Sequence, residues 1–122
     1  MAKKILVVDD EKALVEWISL RLRYNKYEVI AAYDAIEAVK LAKEQGPDLV
    51  LLDIVMPQND GFWVLDKLKE FPSTKDIPVI IITAYPSEDR KNKAMEMGAK
   101  DFLTKPIDSN ELIAKIKSIL GE

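Results

Sequence analysis

Residues 5 to 11 read ILVVDDE, four apolar residues followed at once by three acids. The apolar residues favour burial, whereas removing water from an unpaired carboxylate costs several kcal/mol or more. The stretch therefore predicts a buried strand that stops abruptly, with Asp9 and Asp10 at its end and a helix starting near Glu11. Two or three negative charges next to a buried strand are unfavourable unless something neutralises them, so their presence requires a physical explanation.

The composition limits the classes of protein to which this chain can belong. Its 122 residues, 48% hydrophobic and 32% charged, predict one domain spanning residues 1–122 with a real core. A net charge of −3 and no basic run argue against direct binding of nucleic acid. Without cysteine or histidine, the chain has no disulfide, thiolate metal site or Ser-His-Asp triad. No apolar stretch approaches the roughly 18 residues of a membrane span, and none resembles a signal peptide, so we expect a cytoplasmic protein with no membrane partner.

Five short apolar runs alternate with five longer segments of helical periodicity. The runs are KILVV (4–8), YEVIAA (27–32), DLVLLD (48–53), PVIIIT (78–83) and KDFLT (100–104). This alternation predicts a parallel sheet with helices on both faces. The first, third and fourth runs are almost wholly apolar and therefore central, whereas the other two mix polar with apolar residues and are edges. Right-handed crossovers then favour the strand order 2-1-3-4-5, a doubly wound, flavodoxin-like (βα)5 sandwich of three layers.

The helical segments show their core faces through apolar residues at helical spacing. The predicted core residues are Leu14, Val15, Ile18 and Leu22 in the first helix, Ile36, Val39 and Ala42 in the second, Val64, Leu65 and Leu68 in the third, and Leu112, Ile113, Ile116 and Leu120 in the fifth. Gly46 and Pro47 end the second helix, and Asp108 or Ser109 caps the fifth. The fourth helical segment, SEDRKNKAMEMG (87–98), is mostly polar.

Five polar residues converge on the carboxyl edge of the predicted sheet. Asp9 and Asp10 end strand 1, Asp53 ends strand 3, Thr83 ends strand 4 and Lys105 follows strand 5. The winding reverses between strands 1 and 3, where ligands of such sheets bind. Two like charges about 4 Å apart repel by roughly 4 kcal/mol at an effective dielectric of about 20, and Mg²⁺ or Mn²⁺ would remove that cost.

Such a site suits an anionic phosphoryl group. Three carboxylates, one divalent cation and one lysine sum to zero charge, and a carboxylate can act as nucleophile to form an acyl phosphate. Asp53 would be that nucleophile, Lys105 and the cation would hold phosphoryl oxygens, and Thr83 would donate a hydrogen bond.

Each of these residues, taken alone, also has a purely structural interpretation. The acids after strand 1 suit a helix N-terminus, Asp53 suits a turn or cap, Thr83 suits a strand, and Lys105 suits a solvated surface. The segment QNDG (58–61) is a turn signal. The convergence of five suitable residues at one edge favours the functional interpretation.

Four motifs resemble the receiver domains of two-component response regulators, and the resemblance covers the chain from about Lys3 to Leu120. The motifs are VVDDE (7–11), LLDIVMPQNDG (51–61), IIITA (80–84) and GAKDFLTKP (98–106). The resemblance implies that Asp53 is the phospho-acceptor and that Asp10 binds Mg²⁺ directly. It also implies that Asp9 binds the metal through water or orients it, that the backbone carbonyl of Val55 is a further ligand, and that Lys105 pairs with the phosphoryl group.

The same resemblance implies a switch. Thr83 and Phe102 would couple phosphorylation to the surface formed by helix 4, strand 5 and helix 5. Pro57 and Gly61 match the loop after the acceptor, and the Lys105–Pro106 bond would be cis. Three variable neighbours would tune the lifetime of the phosphoryl group: Val55, Met56 and Tyr85.

The sequence thus predicts a receiver that takes a phosphoryl group from a sensor histidine kinase or a histidine phosphotransfer protein onto Asp53. It would catalyse only its own phosphorylation and dephosphorylation, and would act on an output domain or protein as a monomer or a phosphorylation-dependent dimer. A phosphoaspartyl phosphatase would need a second acid at the position of Val55. A binding module with a degenerate site and a flavodoxin-like nucleotide binder are further alternatives, but the site is complete and the loop after strand 1 is acidic rather than glycine-rich. Whether the domain stands alone or belongs to a longer regulator is left open.

Overall fold

Five parallel strands form a single sheet in the computed structural model, which describes residues 2–56 and 61–122. The elements in chain order are β1 (Lys4–Val8), α1 (Lys12–Tyr24), β2 (Glu28–Ala32), α2 (Ala35–Gln45), β3 (Leu49–Asp53), α3 (Gly61–Glu70), β4 (Val79–Thr83), α4 (Glu88–Glu96), β5 (Asp101–Thr104) and α5 (Ser109–Leu120). The strand order is β2-β1-β3-β4-β5, and every neighbouring pair is parallel. The predicted α/β class and strand order are therefore confirmed.

Burial separates central from edge strands as the apolar runs predict. All residues of β3 and β4 are buried, and in β1 only Lys4 is partly exposed. In β2 only Ala32 is buried, and in β5 only Leu103. A strand covered by helices on both faces must be apolar at successive positions, whereas an edge strand need not be.

Alternate residues of each strand enter two separate cores, one on each face of the sheet. Helices α2, α3 and α4 cover the face that includes Leu6, Val50 and Ile81. Helices α1 and α5 cover the opposite face, which includes Ile5 and Leu51. The chain is therefore doubly wound in three layers, and the winding reverses between β1 and β3.

The core face of α2 differs from the prediction. Ile36 is 59% exposed, and the buried face consists of Ala35, Ala38, Val39 and Ala42. These four residues follow the i, i+3, i+4, i+7 pattern of a helix that packs closely through small side chains. Ile36 lies about 100° around the helix from Ala35, so its hydrophobicity alone did not indicate burial.

The helix ends agree with the predicted signals. Gly46 ends α2 in the left-handed region at a φ of 54°, where a side chain would be strained. Asp108 is the N-cap of α5, and its side chain accepts a hydrogen bond from the Glu111 backbone N–H. None of the helices in the described parts of the chain combines the length and the hydropathy needed to cross a bilayer.

Candidate functional site

A cleft of about 440 Å³ lies over the carboxyl ends of the central strands. Its lining residues are Asp10, Glu11, Asp53, Val55, Met56, Ala84, Tyr85 and Lys105. Because β1 and β3 are the strands between which the winding reverses, the cleft lies where open α/β sheets bind their ligands.

Lys105 draws together acids that are distant in sequence. Its Nζ lies 2.7 Å from Asp9 Oδ2, 3.2 Å from Glu11 Oε1 and 3.3 Å from Asp53 Oδ2. Burial lowers the pKa of Lys105, but the hydrogen bond to Asp9 and the charges of Asp53 and Asp9 raise it by more, so the net direction is upward. The ammonium therefore remains charged at neutral pH and partly neutralises the cluster.

Asp53 is buried at the end of β3, with both carboxylate oxygens engaged. Oδ1 accepts a hydrogen bond from the Val55 backbone N–H at 3.0 Å, and Oδ2 accepts one from Lys105. The pKa of Asp53 is raised from 3.8 to about 6, and burial is the largest cause. The charge of Asp9 also raises this pKa, whereas the hydrogen bond from Val55 and the contact with Lys105 lower it. The carboxylate is thus oriented and remains mostly ionised at pH 7, since its pKa is below that value.

Asp9 and Asp10 complete a group of three carboxylates. One carboxylate oxygen from each of Asp9, Asp10 and Asp53 lies within 4.8 Å of the others. Asp9 is fully buried and accepts hydrogen bonds from the Glu11 backbone N–H at 2.9 Å and from Lys105. Asp10 is exposed to the cleft. Hard divalent cations prefer oxygen ligands of this kind, so the donor set fits such an ion.

Glu11 is a member of the site that the motifs do not predict. It occupies the N-cap position of α1, but its side chain makes no capping hydrogen bond to the helix and instead contacts Lys105. The contact joins residues 94 positions apart in sequence. A sequence signal was present, since Glu11 directly follows the acidic pair, but the side-chain direction could not be inferred from it.

Thr83 and Phe102 are placed on the strands expected of them. Thr83 is fully buried at the end of β4, and its Oγ1 accepts a hydrogen bond from the Tyr85 backbone N–H at 3.0 Å. Phe102 is half-buried in β5 and packs against the core between the sheet and the helices α2 to α4. Among the described residues, no hydrogen bond joins Thr83 to Asp53. The contacts of Thr83 and Phe102 do not test whether the two residues are coupled, so their coupling stays a prediction.

Gly61 lies where only a glycine fits. Its N–H donates to the Ile54 carbonyl at 3.0 Å, and a Cβ at this position would lie 2.3 Å from the Asp53 carbonyl oxygen. The close approach of the start of α3 to β3 therefore explains this residue of the motif. Pro57 and residues 58–60 of the predicted turn QNDG (58–61) lie outside the described residues. The Lys105–Pro106 bond is cis, as the resemblance implied.

Comparisons with known proteins agree with this geometry. The sequence profile of the response regulator receiver domain matches residues 5–117. Response regulator PleD of Caulobacter vibrioides is 44% identical over 119 residues, which cover 98% of this chain and 26% of PleD. This chain therefore spans about a quarter of the length of that relative.

Solved structures show the same fold. A CheY-like response regulator receiver domain protein from Methanospirillum hungatei JF-1 is 29% identical with a TM-score of 0.93, over 99% of this chain and 95% of its own. Chemotaxis protein CheY4 of Vibrio cholerae is 27% identical with a TM-score of 0.93, over 98% of this chain and 99% of its own. The chain therefore belongs to the response regulator receiver domain family, the phospho-accepting domains of two-component signalling.

Proposed function

We propose that Asp53 is the residue of this receiver domain that accepts the phosphoryl group from a sensor histidine kinase or a histidine phosphotransfer protein. One observation carries the proposal. The Asp53 carboxylate ends a central strand at an open cleft, 3.3 Å from the Lys105 ammonium and within 4.8 Å of the carboxylates of Asp9 and Asp10. Open α/β sheets bind their ligands at this switch point, and interacting ionisable groups in a cleft are characteristic of functional sites.

The side chains around Asp53 suit in-line transfer. One carboxylate oxygen attacks phosphorus, while the bond from phosphorus to the donor nitrogen, or to oxygen in acetyl phosphate, breaks and the leaving group keeps the electron pair. The Val55 N–H and Lys105 hold the carboxylate in a fixed direction before attack. After transfer, Lys105 is close enough to pair with a phosphoryl oxygen, and Thr83 would donate to another once it has moved inward.

The three carboxylates would hold one Mg²⁺ ion, with Mn²⁺ as the substitute. Asp10 and Asp53 would bind it directly together with the backbone carbonyl of Val55, and Asp9 would act through water or by orienting it. When bound, the ion supplies charge stabilisation for the phosphoryl oxygens. This donor set consists only of oxygen atoms, which is the preference of a hard cation.

Catalysis by the chain would be limited to its own phosphorylation and dephosphorylation. Val55 stands two residues after Asp53 and lines the cleft, so no acid occupies the place where a phosphoaspartyl phosphatase needs its proton donor. Val55, Met56 and Tyr85 would tune the phosphoryl lifetime, since all three line the same cleft.

The output of the switch would leave through the surface of α4, β5 and α5. Phe102 lies on β5 next to β4, which carries Thr83, so a movement of Thr83 has a direct path to this surface. We propose that this surface binds an output domain or protein. The receiver domain itself would act as a monomer or as a phosphorylation-dependent dimer. The receiver unit of residues 1–122 and its cytoplasmic location belong to the same proposal.

The acceptor is tested by labelling with phosphoramidate or acetyl phosphate in the presence of Mg²⁺, followed by intact-mass spectrometry. Wild type should gain one phosphoryl group, and Asp53→Asn should gain none. Asp66→Asn, which removes an exposed carboxylate from α3, is the matched control and should label like wild type. Undiminished labelling of Asp53→Asn would disprove the assignment.

The cation site is tested separately by calorimetric titration with Mg²⁺. Asp10→Asn should weaken binding at least tenfold, because it removes a directly bound charge at a site of three carboxylates. The same titration of Asp66→Asn should match wild type. If Asp10→Asn binds Mg²⁺ as wild type does, Asp10 is not a ligand.

A further inference from the structure

The loop between β4 and α4, residues 84–87, is held through both backbone polar groups of one residue, Tyr85. The Tyr85 N–H donates to Thr83 Oγ1 at 3.0 Å, and the Tyr85 carbonyl accepts a hydrogen bond from Arg90 Nη1 at 2.8 Å. Thr83 is the last residue of β4, and Arg90 belongs to the first turn of α4. Tyr85 is therefore a mechanical link between the strand that carries the predicted switch residue and the helix that follows.

Arg90 is fixed to the start of α4 by its own backbone. Its N–H donates to Ser87 Oγ at 3.1 Å, which is the N-cap contact of this helix. The remaining attachment of α4 is slight, since Ala94 is its only buried residue among those that the structure describes. Lys93 adds a cation–π contact 4.3 Å from the centre of the Phe62 ring. A change at the Arg90 contact is therefore poorly opposed by packing, and α4 should respond to it.

We propose that Arg90 is a positioning residue that latches α4 to the β4–α4 loop and opposes the inward movement of Thr83. The proposal rests on the proposed function, because the movement matters only if a phosphoryl group on Asp53 draws Thr83 inward. As Thr83 moves inward, its hydroxyl keeps the hydrogen bond from the Tyr85 N–H, so Tyr85 must move with it. Tyr85 follows only when its carbonyl leaves Arg90, so the switched form lacks the latch.

The direction of the effect of a mutation follows from this difference between the two forms. A contact made only in the resting form stabilises that form, and a ligand that binds the switched form must overcome it. Removing the Arg90 side chain should therefore tighten the binding of a phosphoryl mimic. One hydrogen bond from a half-exposed guanidinium corresponds to a gain of about three- to tenfold in affinity. General damage to the fold would weaken binding instead.

The test uses Arg90→Ala and, as the matched control, Lys91→Ala, which removes the same charge from the next residue of α4. Beryllofluoride with Mg²⁺ serves as the phosphoryl mimic, and its affinity is measured by NMR titration. We expect Arg90→Ala to bind about three- to tenfold more tightly than wild type and Lys91→Ala to bind as wild type does. Equal affinities of Arg90→Ala and wild type, weaker binding of Arg90→Ala, or an equal gain in Lys91→Ala would overturn the proposal.

A second measurement without the mimic separates the latch from the proposed function. Solvent exchange of the Tyr85 amide proton should be several-fold faster in Arg90→Ala than in wild type, and unchanged in Lys91→Ala. If exchange rises as expected but wild type fails to bind beryllofluoride, the proposed function is wrong while the contact of Arg90 with the loop stands. Unchanged exchange in Arg90→Ala would overturn the latch whatever the mimic does.

Discussion

Replacing Gly61 by alanine should damage the site without changing any side chain that takes part in the proposed chemistry. An ideal Cβ at this position would lie 2.3 Å from the Asp53 carbonyl oxygen and 2.4 Å from the Ile54 Cα. Ordinary approaches of carbon to a carbonyl oxygen are about 3.3 Å or longer, so the two segments must separate by roughly 1 Å. The atoms in the way are backbone atoms of Asp53, the proposed acceptor, and of Ile54, and no rotamer change can move them.

The structure indicates two separate costs. Forcing a methyl group into a filled space destabilises proteins by about 1–3 kcal/mol, and the better helix propensity of alanine recovers up to ~1 kcal/mol of that. The larger cost is functional, because a displacement of roughly 1 Å at a reacting group reduces rates by about a hundredfold. We therefore expect a net loss of up to about 2 kcal/mol in the free energy of unfolding, together with a much slower phosphorylation of Asp53.

Urea unfolding and the initial rate of labelling by phosphoramidate measure these two effects. Gly46→Ala is the control, because Gly46 has a φ of 54° and no atom within 4 Å of an added Cβ. It should lose about 1–2 kcal/mol through the left-handed conformation alone and should label like wild type. If Gly61→Ala labels at the wild-type rate, the start of α3 does not constrain the acceptor and the reasoning is refuted.

Three further predictions concern charge and hydrogen bonding. The folded pKa of Asp53, about 6, exceeds its ordinary value of 3.8, so native protein binds the proton more tightly than unfolded protein and gains stability as the pH falls. Without divalent cations, Asp53→Asn should be more stable than wild type by up to ~3 kcal/mol at pH 7.5 and by little at pH ~4, as measured by urea unfolding; a difference independent of pH would contradict this. Burial and the 2.6 Å hydrogen bond to Glu122 raise the pKa of Tyr27. The contribution of the Tyr27 hydroxyl to folding stability is therefore full below pH ~10 and is lost progressively above it. Tyr27→Phe should cost about 1 kcal/mol at pH 7 and less at pH ~11, and an undiminished cost at alkaline pH would count against the assignment. Glu11→Gln should change the free energy of unfolding by less than about 0.5 kcal/mol, because Glu11 is an exposed partner of Lys105, and a loss above ~1 kcal/mol would show a stronger pair.

The architecture could be predicted from the sequence because the composition of each strand indicates whether one or both of its faces are buried. LVLL before Asp53 and VIII before Thr83 have no polar residue on either face, which suits only a strand covered on both sides. The mixed composition of β2 and β5 marks them as edges in the same way. The order 2-1-3-4-5 is also one of the two common arrangements of doubly wound sheets, so the pattern had only to select between them.

What the sequence could not specify depends on side-chain direction and close packing. The buried face of α2 is formed largely by alanines, which are weak signals of burial. Ile36 was therefore predicted to be a core residue, whereas the structure buries Ala35 instead. The contact of Glu11 with Lys105 joins the two ends of the chain and depends on two long side chains adopting matching rotamers. The contact of Arg90 with the Tyr85 carbonyl is local in sequence, yet no motif marks it. Residue types placed at strand ends are readable from a sequence, whereas the partners of flexible side chains are not.

The presence of Glu11 changes the electrostatics of the cleft. Four carboxylates, those of Asp9, Asp10, Glu11 and Asp53, face one ammonium, which leaves a formal charge of −3, and a divalent cation would leave −1 rather than the zero expected from three carboxylates. A phosphoryl group on Asp53 would add negative charge and compete for Lys105. The Asp9 side chain is 0% exposed, so losing its partner would leave a buried charge unpaired, whereas the Glu11 side chain is 65% exposed and water can replace the lysine. Glu11 is therefore the partner that gives way with least cost, while Asp9 keeps the ammonium beside the proposed phosphorylation site. This difference is the reason why the Glu11→Gln substitution should cost so little.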